Sequence, residues 1–334
     1  MASNKDLKFI DLFAGIGGIR MGFERNGYRC VFSNEINDHA CEMYKLNFGE
    51  DPKGDITELD PKTLPDFDVL VGGFPCQSFS ICGKQKGFED ARGTLFFDIC
   101  RILEEKKPYA FMLENVFNLV THDGGNTFKV MQDSLKNLGY TINYKVLNAR
   151  NFGVPQNRDR IIIVGCRDNK KFDFDKLETN TIDCMYPFLD KEGDFEILDP
   201  KDYTILEEQY VHRQPKSGLI FIGHRNKKIR VAGVRPGTEH LSRVHKMPNR
   251  IYSAEGTHPT IASQELSGRY WIYVDGIVRK LTINECFRFF GFPEDFKKCG
   301  ILSKQYERIG NSVCVNMISS VAKEMKRQFF EEDV

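Results

Sequence analysis

Phe9-Ile10-Asp11-Leu12-Phe13-Ala14-Gly15-Ile16-Gly17-Gly18-Ile19-Arg20 decides the fold. Its first five residues form an apolar run of strand length broken by one acid. A glycine turn follows from Ala14 to Gly18, and a helical pattern runs from Ile19 to about Arg25. A buried strand that feeds a helix through glycines is the opening unit of a parallel sheet covered by helices. Glycines at such a turn let the backbone approach a bound ligand closely. The turn is not the dinucleotide fingerprint, because after Gly15 and Gly17 the third glycine position holds Arg20. That disfavours a nicotinamide cofactor and leaves a nucleoside cofactor open.

The same rhythm continues downstream. Cys30–Ser33, Asp68–Gly72, Tyr109–Leu113 and Arg160–Gly165 read as strands, and Tyr140–Leu147 as extended chain. Asp38–Asn47, Leu95–Lys106 and Phe128–Asn137 read as helices between them. This alternation predicts an α/β fold with a doubly wound, mostly parallel sheet. After about Cys166 it stops. Residues 176–280 are polar and punctuated by glycine, with short β-like pieces such as Leu219–Ile222 and Tyr270–Val274, and read as a smaller, irregular, β-rich domain. Helical patterns return at Ile283–Phe290 and Ser312–Phe329, so residues 1–175 and 281–334 are expected to form one large domain.

Composition narrows the class. With 41% hydrophobic and 12% aromatic residues, the 334-residue chain can bury a large core, which excludes wholesale disorder. The polar start lacks a signal peptide's apolar stretch, and no run approaches the roughly 18 apolar residues of a membrane helix. Ten cysteines without a Cys-x-x-Cys pair or zinc spacing read as reduced thiols of a cytoplasmic protein with no metal and no membrane partner. The net charge of zero hides a partition. Asp173–Glu208 carries twelve acids against three lysines, and Val211–Arg250 carries ten Lys and Arg against one Glu. The second stretch is the face expected to seek a polyanion.

The chemistry-bearing residues sit where parallel strands end. Glu35 closes the second strand about twenty residues after the glycine turn, where a carboxylate meets the hydroxyls of an adenosine ribose. Asp55 offers an acceptor for an adenine amino group, and Ile56 an apolar wall. Gly72-Gly73-Phe74-Pro75-Cys76-Gln77 follows a strand and presents Cys76 as a nucleophile on a rigid turn. Ser80–Thr94, with glycines at 83, 87 and 93, reads as a lid. Glu114 ends the strand Tyr109–Leu113 as a candidate acid. Arg158 and Arg160, two apart on an entering strand, are expected to point to one side, toward an anionic or carbonyl-rich ligand.

These residues resemble the DNA (cytosine-5)-methyltransferases of the bacterial restriction-modification (type II) kind. The resemblance rests on Asp11–Gly18, Pro75-Cys76-Gln77, Glu114-Asn115-Val116, Gln156-x-Arg158-x-Arg160 and Gly310-Asn311-Ser312-Val313, five motifs in the family's order and spacing. It implies a Rossmann-like catalytic domain and places a target-recognition domain at 176–280. It implies S-adenosyl-L-methionine as cofactor and S-adenosyl-L-homocysteine as product, with Phe13, Ala14, Gly15, Gly17, Gly18, Glu35, Ile36, Asp55, Ile56, Pro75, Leu95, Asn311 and Ser312 lining the cofactor site. Cys76 would attack C6 of a cytosine flipped out of duplex DNA, Glu114 would hold N3 and the amino group, and Arg160 would steady O2 with support from Arg158. Lys84 and Arg92 on the lid would meet phosphates, with Gln77 and Cys82 also facing DNA. Cys82 departs from the small residue that some relatives place there.

In the recognition region Arg225, Lys227, Lys228, Arg230, Arg243 and Arg250 are expected to hold phosphates or read bases, together with Thr260 and Gln264. Thr260-Ile261 stands where the family tends to carry Thr-Leu. The resemblance further implies a bacterial monomer and a cognate restriction endonuclease that acts on the same site without direct contact. Rival readings are a tRNA cytosine-5 methyltransferase, a catalytically silent DNA-binding regulator and a thiol hydrolase. The first lacks its Cys-Phe-Thr tripeptide here, and the second is opposed by the presence of both Cys76 and Glu114. The third lacks a histidine motif to pair with Cys76.

Overall fold

The computed structural model describes residues 6–75, 95–229, 235–263 and 270–331. Contacts divide the chain into two units: residues up to Leu147 with Asp159–Glu178 and Val315 onward, and Asn148–Arg158 with Thr179–Cys314.

The first unit is built on β1 (Lys8–Leu12), β2 (Arg29–Asn34), β3 (Val69–Gly73), β4 (Ala110–Val116), β5 (Thr141–Asn148) and, after β6 (Gln156–Asn157) of the second unit, β7 (Asp159–Cys166), in the spatial order β2-β1-β3-β4-β7-β5. β1 runs parallel to β2 and β3, and β3 parallel to β4, as the alternating pattern predicts. β7 is antiparallel to β4, with Val116 opposite Arg160 and Glu114 opposite Ile162. The start of β7 therefore lies at the carboxyl edge of the parallel strands, where their connecting turns gather. Helices α1 (Gly18–Glu24), α2 (Asp38–Phe48), α3 (Leu95–Lys106) and α4 (Asn126–Asn137) follow the first strands. The Asn37 side chain caps α2 by accepting from the Ala40 amide, and Gly49 at φ +73° ends it. α3 turns Phe96, Ile99, Ile102 and Leu103 into a core with Ile10, Leu12, Leu70, Phe111, Leu113 and Ile163. That spacing of three and four residues is one helix face.

The second unit holds a six-stranded, mostly antiparallel sheet: β8 (Tyr203–Ile205), β9 (His212–Gln214), β10 (Leu219–Arg225), β11 (Arg250–Ser253), β13 (Trp271–Val274) and β14 (Ile277–Lys280). Leu198, Ile251, Trp271 and Val278 make one small core on it. β6 pairs in parallel with β12 (His258–Pro259). Two helices belong here as well, α5 (Ile283–Arg288) and α6 (Leu302–Asn311). The sequence returns 281–334 to the large domain, whereas the contacts keep 281–314 in the second unit. The cause is local: Glu285 of α5 forms a buried ion pair with Arg279 at 2.7 Å while closing a capping box with Thr282. α6 is a helix the sequence reading did not anticipate, and the helix expected from Ser312 begins at Val315 as α7 (Val315–Met325), which packs on α1 in the first unit. Among the described residues, no helix is long and apolar enough to cross a membrane.

Candidate active site

In the first unit the glycine turn is wound through left-handed backbone: Phe13 at φ +56°, Gly15 at +56° and Gly17 at +88°. A non-glycine residue there is strained, and such strain concentrates at ligand sites. At Gly17 a Cβ would lie 2.1 Å from the Phe48 ring, so only glycine allows α1 to start against α2. Arg20, in the place of a third glycine, fastens that contact. It bonds Glu24 (2.8 Å), Tyr44 (2.9 Å) and Glu50 (2.7 Å), and its guanidinium lies 4.5 Å from the Phe48 ring centre. Beneath the turn, Asp11 is fully buried, and burial pushes its carboxyl up to about 8 against the opposing charge and amide of Arg20.

Glu35 joins this turn directly. One carboxylate oxygen accepts from the Gly15 amide and the other from the Asn37 amide, both at 2.8 Å. Its own backbone bonds Pro52 and Gly54, which sets it beside Asp55. Asp55 accepts from the Thr57 amide and hydroxyl, and these bonds hold its carboxyl below the ordinary value. Ile56 is buried, Ile36 is 59% exposed, and Leu95 is half-buried at the head of α3. Ala14 and Gly18 are buried, and Pro75 is exposed. A Cβ at Gly15 would meet nothing nearer than 4.0 Å, so open space lies beside the fixed carboxylate.

Farther along the same edge, Glu114 and Arg160 form an ion pair at 2.9 Å, with only 10% and 12% of their side-chain surface exposed. Burial lowers the pKa of the Arg160 guanidinium, and the Glu114 charge opposes that shift. The antiparallel register of β7 brings the pair together. Gly73 faces it: a Cβ there would lie 3.2 Å from Glu114 Oε2. Asn115 is buried, donates to the Phe74 carbonyl at 2.9 Å and accepts from the Val116 amide at 2.8 Å. It thereby pins the loop two residues before Cys76. Neither Gly73 nor Asn115 has a role of its own in the sequence reading, although a polar side chain on an apolar strand end needs a partner and so signals one.

Arg158 corrects an expectation. It does not share a side with Arg160. The strand breaks between Asn157 and Asp159, so the alternation that would align the two arginines fails. Arg158 is 2% exposed and donates to the carbonyls of Ile261, Gly310 and Ser312 within the second unit. Its guanidinium clamps these three stretches of backbone. Asn311 is exposed at the end of α6, and Ser312 is half-buried.

Among the recognition candidates, Arg225 lies over the Trp271 ring at 5.2 Å, and Arg250 donates to the His245 carbonyl at 3.2 Å. Lys227, Lys228 and Arg243 are exposed, and the Thr260 hydroxyl donates to the Asn157 carbonyl at 2.9 Å. Cys76, Gln77, Cys82, Lys84, Arg92, Arg230 and Gln264 lie outside the described residues.

Comparison with known proteins supplies what the geometry leaves open. The family model for C-5 cytosine-specific DNA methylase matches residues 7–327. The chain is 41% identical over 327 residues to the Type II methyltransferase M.HhaI of Haemophilus parahaemolyticus, covering 95% of this chain and 93% of that protein. It is 43% identical over 321 residues to the Type II methyltransferase M.HaeII of Haemophilus aegyptius, covering 96% and 93%. Among solved structures, the Entamoeba histolytica methyltransferase EhMeth matches with a TM-score of 0.70 at 18% identity, over 98% of this chain and 100% of that one. A putative DNA modification methyltransferase from an E. coli prophage matches with a TM-score of 0.66 at 19% identity, over 97% and 100%.

Proposed function

Because the chain belongs to the C-5 cytosine-specific DNA methylase family and is a DNA cytosine-5 methyltransferase of the type II restriction-modification kind, we propose that it methylates C5 of a cytosine flipped out of a short duplex site, through a covalent bond between Cys76 and C6. The observation that carries this reading is the largely covered Glu114–Arg160 pair at the sheet's carboxyl edge, one strand from the loop that leads to Cys76.

The glycine turn fits S-adenosyl-L-methionine. Glu35 presents a carboxylate fixed by two amides for the ribose hydroxyls, ionised Asp55 suits the adenine amino group, and Phe13, Ile36 and Ile56 offer apolar surface to the ring. Ala14, Gly15, Gly17, Gly18, Pro75, Leu95, Asn311 and Ser312 complete the set on the family's pattern. When bound, the cofactor supplies an electrophilic methyl group on a sulfonium and leaves as S-adenosyl-L-homocysteine.

The side chains prepare the acceptor. C5 of cytosine is a weak nucleophile. The Cys76 thiolate adds at C6, the C5–C6 π pair becomes a C4–C5 double bond, and the C4–N3 π pair moves onto N3, which takes up a proton. Glu114 holds that proton and the exocyclic amino group, and Arg160 faces the charge that develops at O2. Once C5 carries the methyl group, its proton leaves to water, the C5–H pair becomes the C5–C6 double bond as the S–C6 pair returns to sulfur, and N3 gives up its added proton, which restores the ring. None of these atoms is reachable in a stacked duplex, so the base leaves the stack at a cost of a few kcal/mol. Gln77 would meet DNA beside Cys76, Cys82, Lys84 and Arg92 from the stretch 80–94, and Arg225, Lys227, Lys228, Arg230, Arg243, Arg250, Thr260 and Gln264 from the recognition region. A monomer suffices for one flipped base, and a restriction endonuclease cutting the same site is the partner in the cell.

Methyl transfer from labelled S-adenosylmethionine to unmethylated plasmid, followed by bisulfite sequencing, tests the reading. Protected cytosines in one short context are the expected result. Folded protein that binds the cofactor and leaves plasmid unlabelled would overturn it.

A further inference from the structure

Two segments with different proposed ligands meet on one buried side chain of the second unit. Arg158 donates to the Ile261 carbonyl at 3.2 Å, to Gly310 at 3.0 Å and to Ser312 at 2.7 Å, with its guanidinium 4.8 Å from the Phe290 ring centre. Gln156, fully buried, takes the Ile261 amide on its side-chain oxygen at 3.0 Å and donates to the Phe289 carbonyl at 2.9 Å. The Thr260 hydroxyl completes the set on the Asn157 carbonyl. There is no slack beside this clip. A Cβ at Gly310 would lie 2.2 Å from the Ala262 carbonyl oxygen, so the last turn of α6 rests on the backbone that follows Thr260. The Tyr270 hydroxyl donates to that same carbonyl at 2.8 Å.

We propose that Gln156 and Arg158 form a positioning clip that couples the Thr260–Ala262 segment to the Gly310–Ser312 segment, so that DNA bound at the first and cofactor bound at the second strengthen each other. The inference rests on the reading above, in which Thr260 serves DNA and Asn311 and Ser312 serve the cofactor. Its physical basis is that a planar guanidinium bridges several carbonyls with fixed geometry, and a close-packed contact cannot deform on one side alone. A ligand that orders either segment therefore sets the other in advance, and the second ligand meets a smaller ordering cost. Arg158 touches neither ligand and acts through the backbone it holds.

Calorimetric titration of S-adenosyl-L-homocysteine, with and without a saturating duplex carrying the site read by bisulfite sequencing, measures the coupling. Wild type is expected to bind the product at least about fivefold more tightly with DNA present. R158K keeps the charge but cannot span three carbonyls. It is expected to bring the coupling below about twofold, while each ligand alone binds within about threefold of wild type. Undiminished coupling in R158K, no coupling in wild type, or equal losses with and without the second ligand would each overturn the clip. If R158K fails to fold, hydrogen exchange on wild type decides. The Ile261 amide should exchange more slowly when S-adenosyl-L-homocysteine alone is added, and an unchanged rate refutes the proposal. Wild type that binds neither product nor duplex would instead sink the methyltransferase reading, and the clip with it.

Discussion

Replacing Glu114 tests stability and chemistry with one residue. Glu114 faces Arg160 at 2.9 Å, and both side chains are about nine-tenths covered. A covered guanidinium that loses its carboxylate is left as an uncompensated charge, so E114A is expected to cost about 3–5 kcal/mol. E114Q keeps an oxygen for the Arg160 Nε and removes only the charge. Its cost should be smaller, about 1.5–3 kcal/mol, on the scale of a hydrogen bond to a charged group. The double variant E114A/R160M removes the stranded charge and should be more stable than E114A alone. Denaturant melts of the four proteins give these differences. In single-turnover methyl transfer E114Q should fall by about 10²–10⁴-fold, the worth of a positioned acid, with duplex affinity retained. A rate for E114Q within tenfold of wild type would remove Glu114 from the chemistry. E114A no less stable than E114Q, with no recovery in the double variant, would refute the buried pair.

Three further perturbations reach other parts of the molecule. E35A should weaken S-adenosyl-L-homocysteine binding by about 10–100-fold in calorimetry with duplex affinity unchanged, since it deletes a charged acceptor that two amides hold in place. Equal product affinity would take Glu35 out of the site. Burial raises the Asp11 carboxyl to about 8 in the folded protein from 3.8, so the folded state keeps a proton that the unfolded chain releases, and stability falls as pH rises through that window. Relative to D11N, wild type should lose about 1.4 kcal/mol per pH unit between about pH 5 and 7, and parallel melts across that range would contradict the shift. K227Q/K228Q should flatten the salt dependence of duplex binding by about one logarithmic unit of slope per lysine, and an unchanged slope makes that exposed stretch an ordinary solvated surface.

What the sequence disclosed and what it withheld have separate physical causes. The strand, turn and helix of residues 9–25 were legible because an apolar run, a glycine cluster and a helical period are local signals that each decide one thing. Glu35 and Glu114 were legible because both stand where an apolar strand ends. The orientation of β7 was not, since Ile161-Ile162-Ile163-Val164 is buried throughout and a continuous apolar run reads the same in a parallel or an antiparallel neighbour. Yet that orientation is what sets Arg160 against Glu114. The fate of Arg158 was hidden for a related reason. Alternation assigns sides only within an unbroken strand, and the break between β6 and β7 comes at this residue. Gln156 and Arg158 thus answer to backbone carbonyls that lie 103 to 154 residues away in sequence, whereas Arg160 answers to Glu114. α6 escaped notice because Leu302–Asn311 is polar on balance and buries only Tyr306, Ile309 and Gly310. A motif of alternating positions within five residues therefore does two kinds of work. One end pairs with Glu114, where the proposed reaction seats the base, and the other holds backbone carbonyls of the second unit. Only the long-range partners tell these roles apart, which is why R158K and R160M should fail in different assays.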